Sequence, residues 1–475
     1  MNDMYQGPTI TSELGRLPIE AAADRNRLSR GTASEVLDSI DDSPVADLLR
    51  DHGSPLFVFS ETTLRRKLRH MREAFTSRYK NMSFAWSFKT NRLDAICKIM
   101  KDEGWAAEVV SDFEYEKARK LGYAGPEIVY NGPYKSRASI KTALEEGALI
   151  QIDNWDELAV VEQLAGELHG TFDVGIRVWV TTGYAPIWSK FGFSLVNGEA
   201  QHAARRIIRH PQFRLHTIHC HVGTYVLDPE TFRVATQVLL GLRKELSDDT
   251  GHLVPCLNLG GGFPSNSLLH GMVGPAEVVI PPIEDYADAI AGELNALPKR
   301  DKPLLRVESG RYLVDEAGYL VSTIVAIKGG PRRDAPPETL SSLVVKEQML
   351  LSDTARLSYV LDAGVNLLYT ANWFAIQPFP DRRVNSLPEP TRLLGCLCME
   401  IDVIRDHVDL PRLQTGDHLT FHPVGAYNFD QSMQFIHLRP AVVLIGEDRK
   451  VHLIRREETL ADMEAAESLP AHLSG

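Results

Sequence analysis

At 475 residues the chain exceeds what one hydrophobic core usually organises, so two domains, or one large barrel with an appendage, are expected. Its 44% hydrophobic and 24% charged residues are ordinary for a globular protein, and a formal net charge of -12, with no basic run longer than the three residues Arg65-Arg66-Lys67, argues against a nucleic-acid partner. No window reaches the roughly 18 uninterrupted apolar residues of a membrane span, residues 1–30 are polar without an apolar leader core, and the odd set Cys97, Cys220, Cys256, Cys396 and Cys398, with Cys396-Leu-Cys398 its one close pair, points to reduced thiols in a cytoplasm.

Residues 1–45, rich in Ser, Asp, Arg and Pro with weak periodicity, read as an N-terminal extension, flexible or packed on a neighbour. A β-like run follows at residues 56–60. Short apolar, β-rich runs then recur at 82–87, 107–110, 128–131, 149–152, 174–180, 215–222, 254–259 and 304–308. Amphipathic stretches such as 112–121, 136–146, 155–168 and 229–246 separate them, each with the period of a crossover helix. Eight βα units in regular alternation predict an α/β TIM (β/α)8 barrel over residues 61–319. Beyond Glu308 strands follow without intervening helices, at 319–326, 342–349, 357–361, 418–422, 441–445 and 451–454. These predict an all-β domain of residues 320–455, joined by 46–60, with 456–475 as a tail.

Barrel enzymes carry their chemistry at the C-terminal ends of the strands, and the unusual residues fall there. Lys89 closes "FAWSFKTN", an aromatic run in which an unpaired ammonium would be costly; it either snorkels to solvent or is desolvated for chemistry. Gly260-Gly261-Gly262 follows the seventh strand, where bare backbone N–H groups suit a phosphate, although a tight turn has the same composition. In "HCHVGT", Thr217, His219 and His221 share one strand face. Two imidazoles there could ligate zinc, but a third ligand at suitable spacing is missing; a packed core ring and a ring stacked on a flat cofactor are the other readings. Glu308 in "ESGR" is a carboxylate at the barrel mouth or one partner of a structural ion pair.

Lysine after strand one, HxHxG after strand six, GGGF after strand seven and ExGR after strand eight, followed by a β domain, together resemble the fold-type III pyridoxal-phosphate decarboxylases, the diaminopimelate and ornithine decarboxylase group, whose barrel is alanine racemase-like. "VLDAG" at 360–364, "GCLCMEID" at 395–402 and "GAYNF" at 425–429 extend the similarity over roughly residues 50–450. The resemblance implies that Lys89 forms the Schiff base with pyridoxal 5'-phosphate and His221 stacks on the ring. It also implies that Thr224, Gly260, Gly261, Gly262, Arg311 and Tyr427 hold the phosphate, that Glu308 bonds the pyridine nitrogen, and that Cys398 is the reprotonating acid. Arg311 and Asp402 then meet the substrate, in a head-to-tail homodimer with shared active sites. A desolvated Lys89 amine would suit imine formation, and a glutamate at 308 favours decarboxylation over racemization.

Three departures from the family pattern stand out, the first a matter of rigidity and the other two bearing on the substrate. Ser309 replaces the proline of EPGR. Met399 stands where the family has an acid after the cysteine, and Thr370 and Phe374 stand where diaminopimelate decarboxylases place an arginine and a tyrosine. The expected activity is therefore pyridoxal-phosphate-dependent decarboxylation of a non-standard α-amino acid. A racemase or epimerase of the same fold and a catalytically inactive regulator are the competing readings.

Overall fold

The structure, a computed structural model, describes residues 35–183, 188–329 and 357–473. It divides into two compact units, one of residues 63–266 and 274–315, the other of residues 35–62, 267–273 and 316–473. The expected strand at 342–349 and residues 1–34 of the expected extension lie outside the described residues.

The described chain opens with a hairpin, β1 (Ser39–Ile40) and β2 (Ser43–Pro44), then α1 (Val45–His52) and β3 (Leu56–Ser60). The extension was expected to run to residue 45, but Ile40, Val45 and Leu48 are buried in one cluster with Val58, Val321, Val443 and Ile445 of the second unit. One isoleucine in a polar hairpin leaves no periodic signal, which is why the boundary was misplaced.

α2 (Glu61–Thr76) leads into the barrel. Its strands are β4 (Met82–Ser87), β5 (Ala106–Val109), β6 (Ile128–Tyr130), β7 (Leu149–Ile152), β8 (Phe172–Trp179), then after the short β9 (Phe193–Ser194), β10 (Phe213–His219), β11 (Cys256–Asn258) and β12 (Leu304–Ser309). All eight barrel strands pair in parallel, and the sheet closes through β12 on β4 and β10 on β8. Between them run α3 (Asp94–Asp102), α4 (Asp112–Lys120), α5 (Arg137–Glu146), α6 (Trp155–Leu168), α7 (Glu199–Arg209), α8 (Pro229–Thr250), α9 (Ala276–Val279) and α10 (Ile283–Asn295). Their starts follow capping chemistry: Ser111, Ser136, Asn154 and Asp228 each accept a backbone N–H of the first turn, and α8 begins with Pro229. Helices on the outside and packed side chains within explain why β7 is buried at every position instead of alternating.

One site residue and one segment lie elsewhere than expected. β10 stops at His219, so His221 sits on the following loop and not on the strand face shared by Thr217 and His219. Residues 267–273, expected inside the barrel, belong to the second unit: Leu269 bridges Phe374, and the His270 amide donates to the Trp373 carbonyl at 2.9 Å.

After β12, α11 (Arg311–Val314) leads to the second unit, built from β13 (Gly318–Lys328), β14 (Leu357–Leu361), β15 (Gln377–Pro380), β16 (Glu389–Leu394), β17 (Val403–Leu410), β18 (His418–His422), β19 (Val442–Ile445) and β20 (Val451–Arg455); a short α12 (Leu460–Glu464) follows. The main sheet runs β17-β16-β14-β13-β3-β19-β20, and β18 joins β13 to β15. β15, β16 and β17 were not anticipated, because prolines interrupt "QPFP" and "EPTRLL" and charges alternate through "VIRDHVDL".

Candidate active site

β4 ends in a single 3-10 turn, Phe88–Thr90, that buries Phe88 and Thr90 and turns Lys89 outward. Lys89 Nζ donates to Ser87 Oγ and to Glu108 Oε2, both at 2.7 Å. The lysine side chain is 42% exposed and the glutamate 1%. Of the two expected environments, the amine takes the one that reaches solvent, and it is paired there. Burial alone would raise the Glu108 carboxyl, but the charge and hydrogen bond of Lys89, with bonds from Ser87 and Asn131, outweigh it and hold the group below its ordinary value. Glu108 went unnoticed in sequence, although an acid inside the apolar run "AAEVV" was a usable signal.

Glu308 lies near the end of β12, 5% exposed. Its Oε1 accepts from Asn258 Nδ2 at 2.6 Å and its Oε2 from Asn131 Nδ2 at 2.9 Å. The same Asn131 nitrogen donates to Glu108 Oε1 at 3.0 Å. Burial first, and the charge of Glu108 second, push the Glu308 carboxyl up to about 7. His219 Nε2 stands 3.4 Å from Glu308 Oε2, yet the ring is not aligned to hydrogen-bond and both its nitrogens lack a hydrogen-bond partner. Asn131 and Asn258 extend the site beyond the residues legible in sequence, and His219, noted there beside His221, joins them.

The glycine loop is shaped by close backbone approach. Gly260 and Gly262 adopt φ of +64° and +106°; a Cβ on Gly261 would meet the Glu308 carbonyl oxygen at 2.2 Å, and one on Gly262 the Gly223 carbonyl at 2.4 Å. The Gly261 N–H donates to His221 Nδ1 at 3.1 Å, and Gly260 N–H to Asn258 Oδ1 at 2.9 Å. His221 retains partial exposure, with Trp188 edge-on at 5.3 Å. Its depth in the barrel, then Arg177 and Lys89, hold it well below its usual pKa and therefore neutral. Arg311, at the start of α11, donates to Asp315 Oδ2 at 2.9 Å and lies over the Tyr225 ring. Thr224 is exposed on the loop after β10. Arg177 of β8 is buried beside Asp153, 3.9 Å away, and over the Phe191 ring, completing the inward polar set.

The other sequence-derived residues belong to the second unit. Cys398 is exposed, Met399 and Tyr427 are partly exposed, and Tyr427 takes a left-handed φ of 65°. Asp402 was expected to shape the substrate end, but it is buried: its Oδ1 accepts the Val365 amide at 2.7 Å and its Oδ2 the Leu397 amide at 2.8 Å. It fastens the "DAG" turn to the cysteine loop. Thr370 and Phe374, expected at the distal end of the substrate, also face inward: the Thr370 amide and hydroxyl both donate to Asn428 Oδ1, and Phe374 is 6% exposed.

The pattern of the family described as pyridoxal-dependent decarboxylase, pyridoxal binding domain, matches residues 61–315, more than half of the chain. The chain belongs to the pyridoxal-dependent decarboxylases. It is 27% identical to the diaminopimelate decarboxylase of Bacillus subtilis over 88% of this chain and 92% of the relative, and 28% identical to that of Methanocaldococcus jannaschii over 91% and 95%. The M. jannaschii crystal structure superposes with a TM-score of 0.79 at 26% identity, covering 94% of this chain and all of that one; the complex of the same enzyme with L-lysine gives 0.79 at 27%. This decarboxylase acts on an amino acid with pyridoxal phosphate as cofactor. The site fits that group: an accessible lysine, a bare-backbone cradle no Cβ could occupy and a buried carboxylate of raised pKa converge at one barrel end.

Proposed function

We propose that Lys89 carries pyridoxal phosphate covalently, and that the substrate is an α-amino acid whose distal group is neither a carboxylate nor an ammonium. The distal end carries this reading. Met399 replaces an acid that would pair an ammonium, Thr370 is committed to Asn428, Phe374 is packed, and both Asp402 oxygens already accept backbone amides. A charged distal group would be buried unpaired, at a cost of several kcal/mol.

When bound, pyridoxal phosphate accepts the electron pair left on the substrate Cα as carbon dioxide departs. Glu308 would hold the ring nitrogen and share a proton with it, a role that its raised pKa suits. The Gly260–Gly262 loop, with Thr224, Arg311 and Tyr427, would hold the phosphate, and neutral His221 would pack on the ring. Arg311 also faces the substrate α-carboxylate until it is lost. Cys398, exposed on its loop, returns a proton to Cα, one protomer serving its partner in a head-to-tail homodimer of the cytoplasm.

Carbon dioxide release measured across a panel of α-amino acids tests the substrate class. Amino acids with large apolar or conjugated distal groups should be preferred. A kcat/KM of about 10⁴ M⁻¹s⁻¹ or above for meso-diaminopimelate, lysine or ornithine would refute it.

A further inference from the structure

Two acids meet inside one barrel end, and one uncharged side chain separates them. Glu108 and Glu308 are buried on β5 and β12, and Asn131, immediately after β6, donates from the same nitrogen to Glu108 Oε1 and Glu308 Oε2. Around this nitrogen the polar path is continuous: Lys89 Nζ to Glu108, Asn131 to both acids, Asn258 to Glu308, and Gly260 N–H to Asn258. Asn131 is 3% exposed and its Oδ1 has no partner, so the residue is oriented by its donors alone. Its backbone is held as firmly. The Asn131 amide donates to the Val109 carbonyl, and the next residue, Gly132, presents its carbonyl to Lys135, whose ammonium is fully buried on Glu157 and the Gln151 carbonyl.

We propose that Asn131 is the positioning residue that keeps Glu108 and Glu308 in opposite roles, Glu108 ionised on Lys89 and Glu308 available to share a proton with the cofactor ring nitrogen. This rests on the assignment of Glu308 to that nitrogen. Two carboxylates this close favour retaining a proton on one of them. An amide donor between them lowers the affinity of both for that proton, and Lys89 decides which one ionises first. The remaining titratable and charged groups facing the pair are His219 of β10, Arg177 of β8, Cys220 after β10, Cys256 of β11 and Glu114 of α4. None of them bonds both acids.

The test compares Asn131→Ala and Asn131→Asp with the native enzyme, with Asn131→Ser as a further variant should either fail to fold. In cofactor-free protein, the carboxyl infrared band is titrated with pH; in holoenzyme, the visible absorbance of the bound cofactor is titrated. Removing the donor should raise the midpoint of both titrations by about one pH unit, and the introduced carboxyl should raise it further. kcat should fall about tenfold with little change in KM, since the interaction acts after binding. For Asn131→Asp, lowering the pH should recover part of the loss, because the protonated carboxyl donates again; a merely structural role predicts no such recovery. Unchanged midpoints in folded variants overturn the inference. Glu308→Gln separates the two ideas: if it leaves the cofactor titration untouched, the assignment of Glu308 fails and the inference with it, whereas if it abolishes that titration while the Asn131 variants do not move it, only the inference fails.

Discussion

Lys89 Nζ and Glu108 Oε2 lie 2.7 Å apart, with the amine side open to solvent and the carboxylate sealed behind it. The acid therefore aims the lysine at the barrel mouth, and its burial makes it the partner that suffers more from separation. Borohydride reduction of the holoenzyme should fix the cofactor to Lys89, read by peptide mass spectrometry; label on another lysine would refute the assignment. Lys89→Met in cofactor-free protein should lower stability by about 1–2 kcal/mol, less than for a fully buried pair because the lysine is solvent-screened, as measured by urea midpoints.

Glu308 makes stability depend on pH with a defined sign. Its carboxyl titrates at about 7 in the folded chain and near 4.3 when unfolded, so the folded state binds the proton more tightly. Stability from this group is then fully present below about 4.3, falls as pH rises and is lost above about 7. Relative to Glu308→Gln, cofactor-free wild type should lose up to about 4 kcal/mol across that window. Glu114, also pushed up to about 7 by burial, slopes the same way in both proteins and cancels in the difference. A flat difference in unfolding free energy would show that Glu308 is ionised in the folded chain.

Gly261 has no room for a side chain. With the added Cβ only 2.2 Å from the Glu308 carbonyl oxygen, Gly261→Ala must displace either the loop or β12. Overpacking of this kind costs about 1–3 kcal/mol, so the cofactor Kd, followed by equilibrium dialysis, should rise about tenfold or more. A variant that binds pyridoxal phosphate as tightly as wild type would mean that the loop does not form the cradle.

Cys398→Ala should leave cofactor occupancy intact and cut turnover, because the exposed thiol is available to a reacting group. Mixing Lys89→Ala with Cys398→Ala protein should restore part of the activity if the thiol serves a partner's barrel. Absence of restoration, with subunit exchange verified by native mass spectrometry, would place both residues in one chain's site.

The residues that act through backbone context were legible from sequence. Lys89, the triple glycine, Glu308 and Arg311 each follow an apolar run short enough to be a buried parallel strand, and the βα alternation put all of them at one end of a barrel. β15 and β16 were missed for a local reason too: proline contradicts strand propensity, and only their neighbours in the sheet supply what the prolines withhold.

Glu108, Asn131 and Asn258 come one to a strand, or just beyond one, as single polar residues in apolar or turn-like surroundings that give no reason to connect them. Their meeting depends on closure of the barrel and on register, since a one-residue slip of β5 or β12 would turn Glu108 or Glu308 to the opposite face. The fates of Asp402 and Thr370 were undecided for the same reason. Each carries a polar group that could equally well have faced a ligand, and the chain spacing does not say whether a backbone amide or an asparagine will reach it first; the packing that brought Val365, Leu397 and Asn428 beside them did.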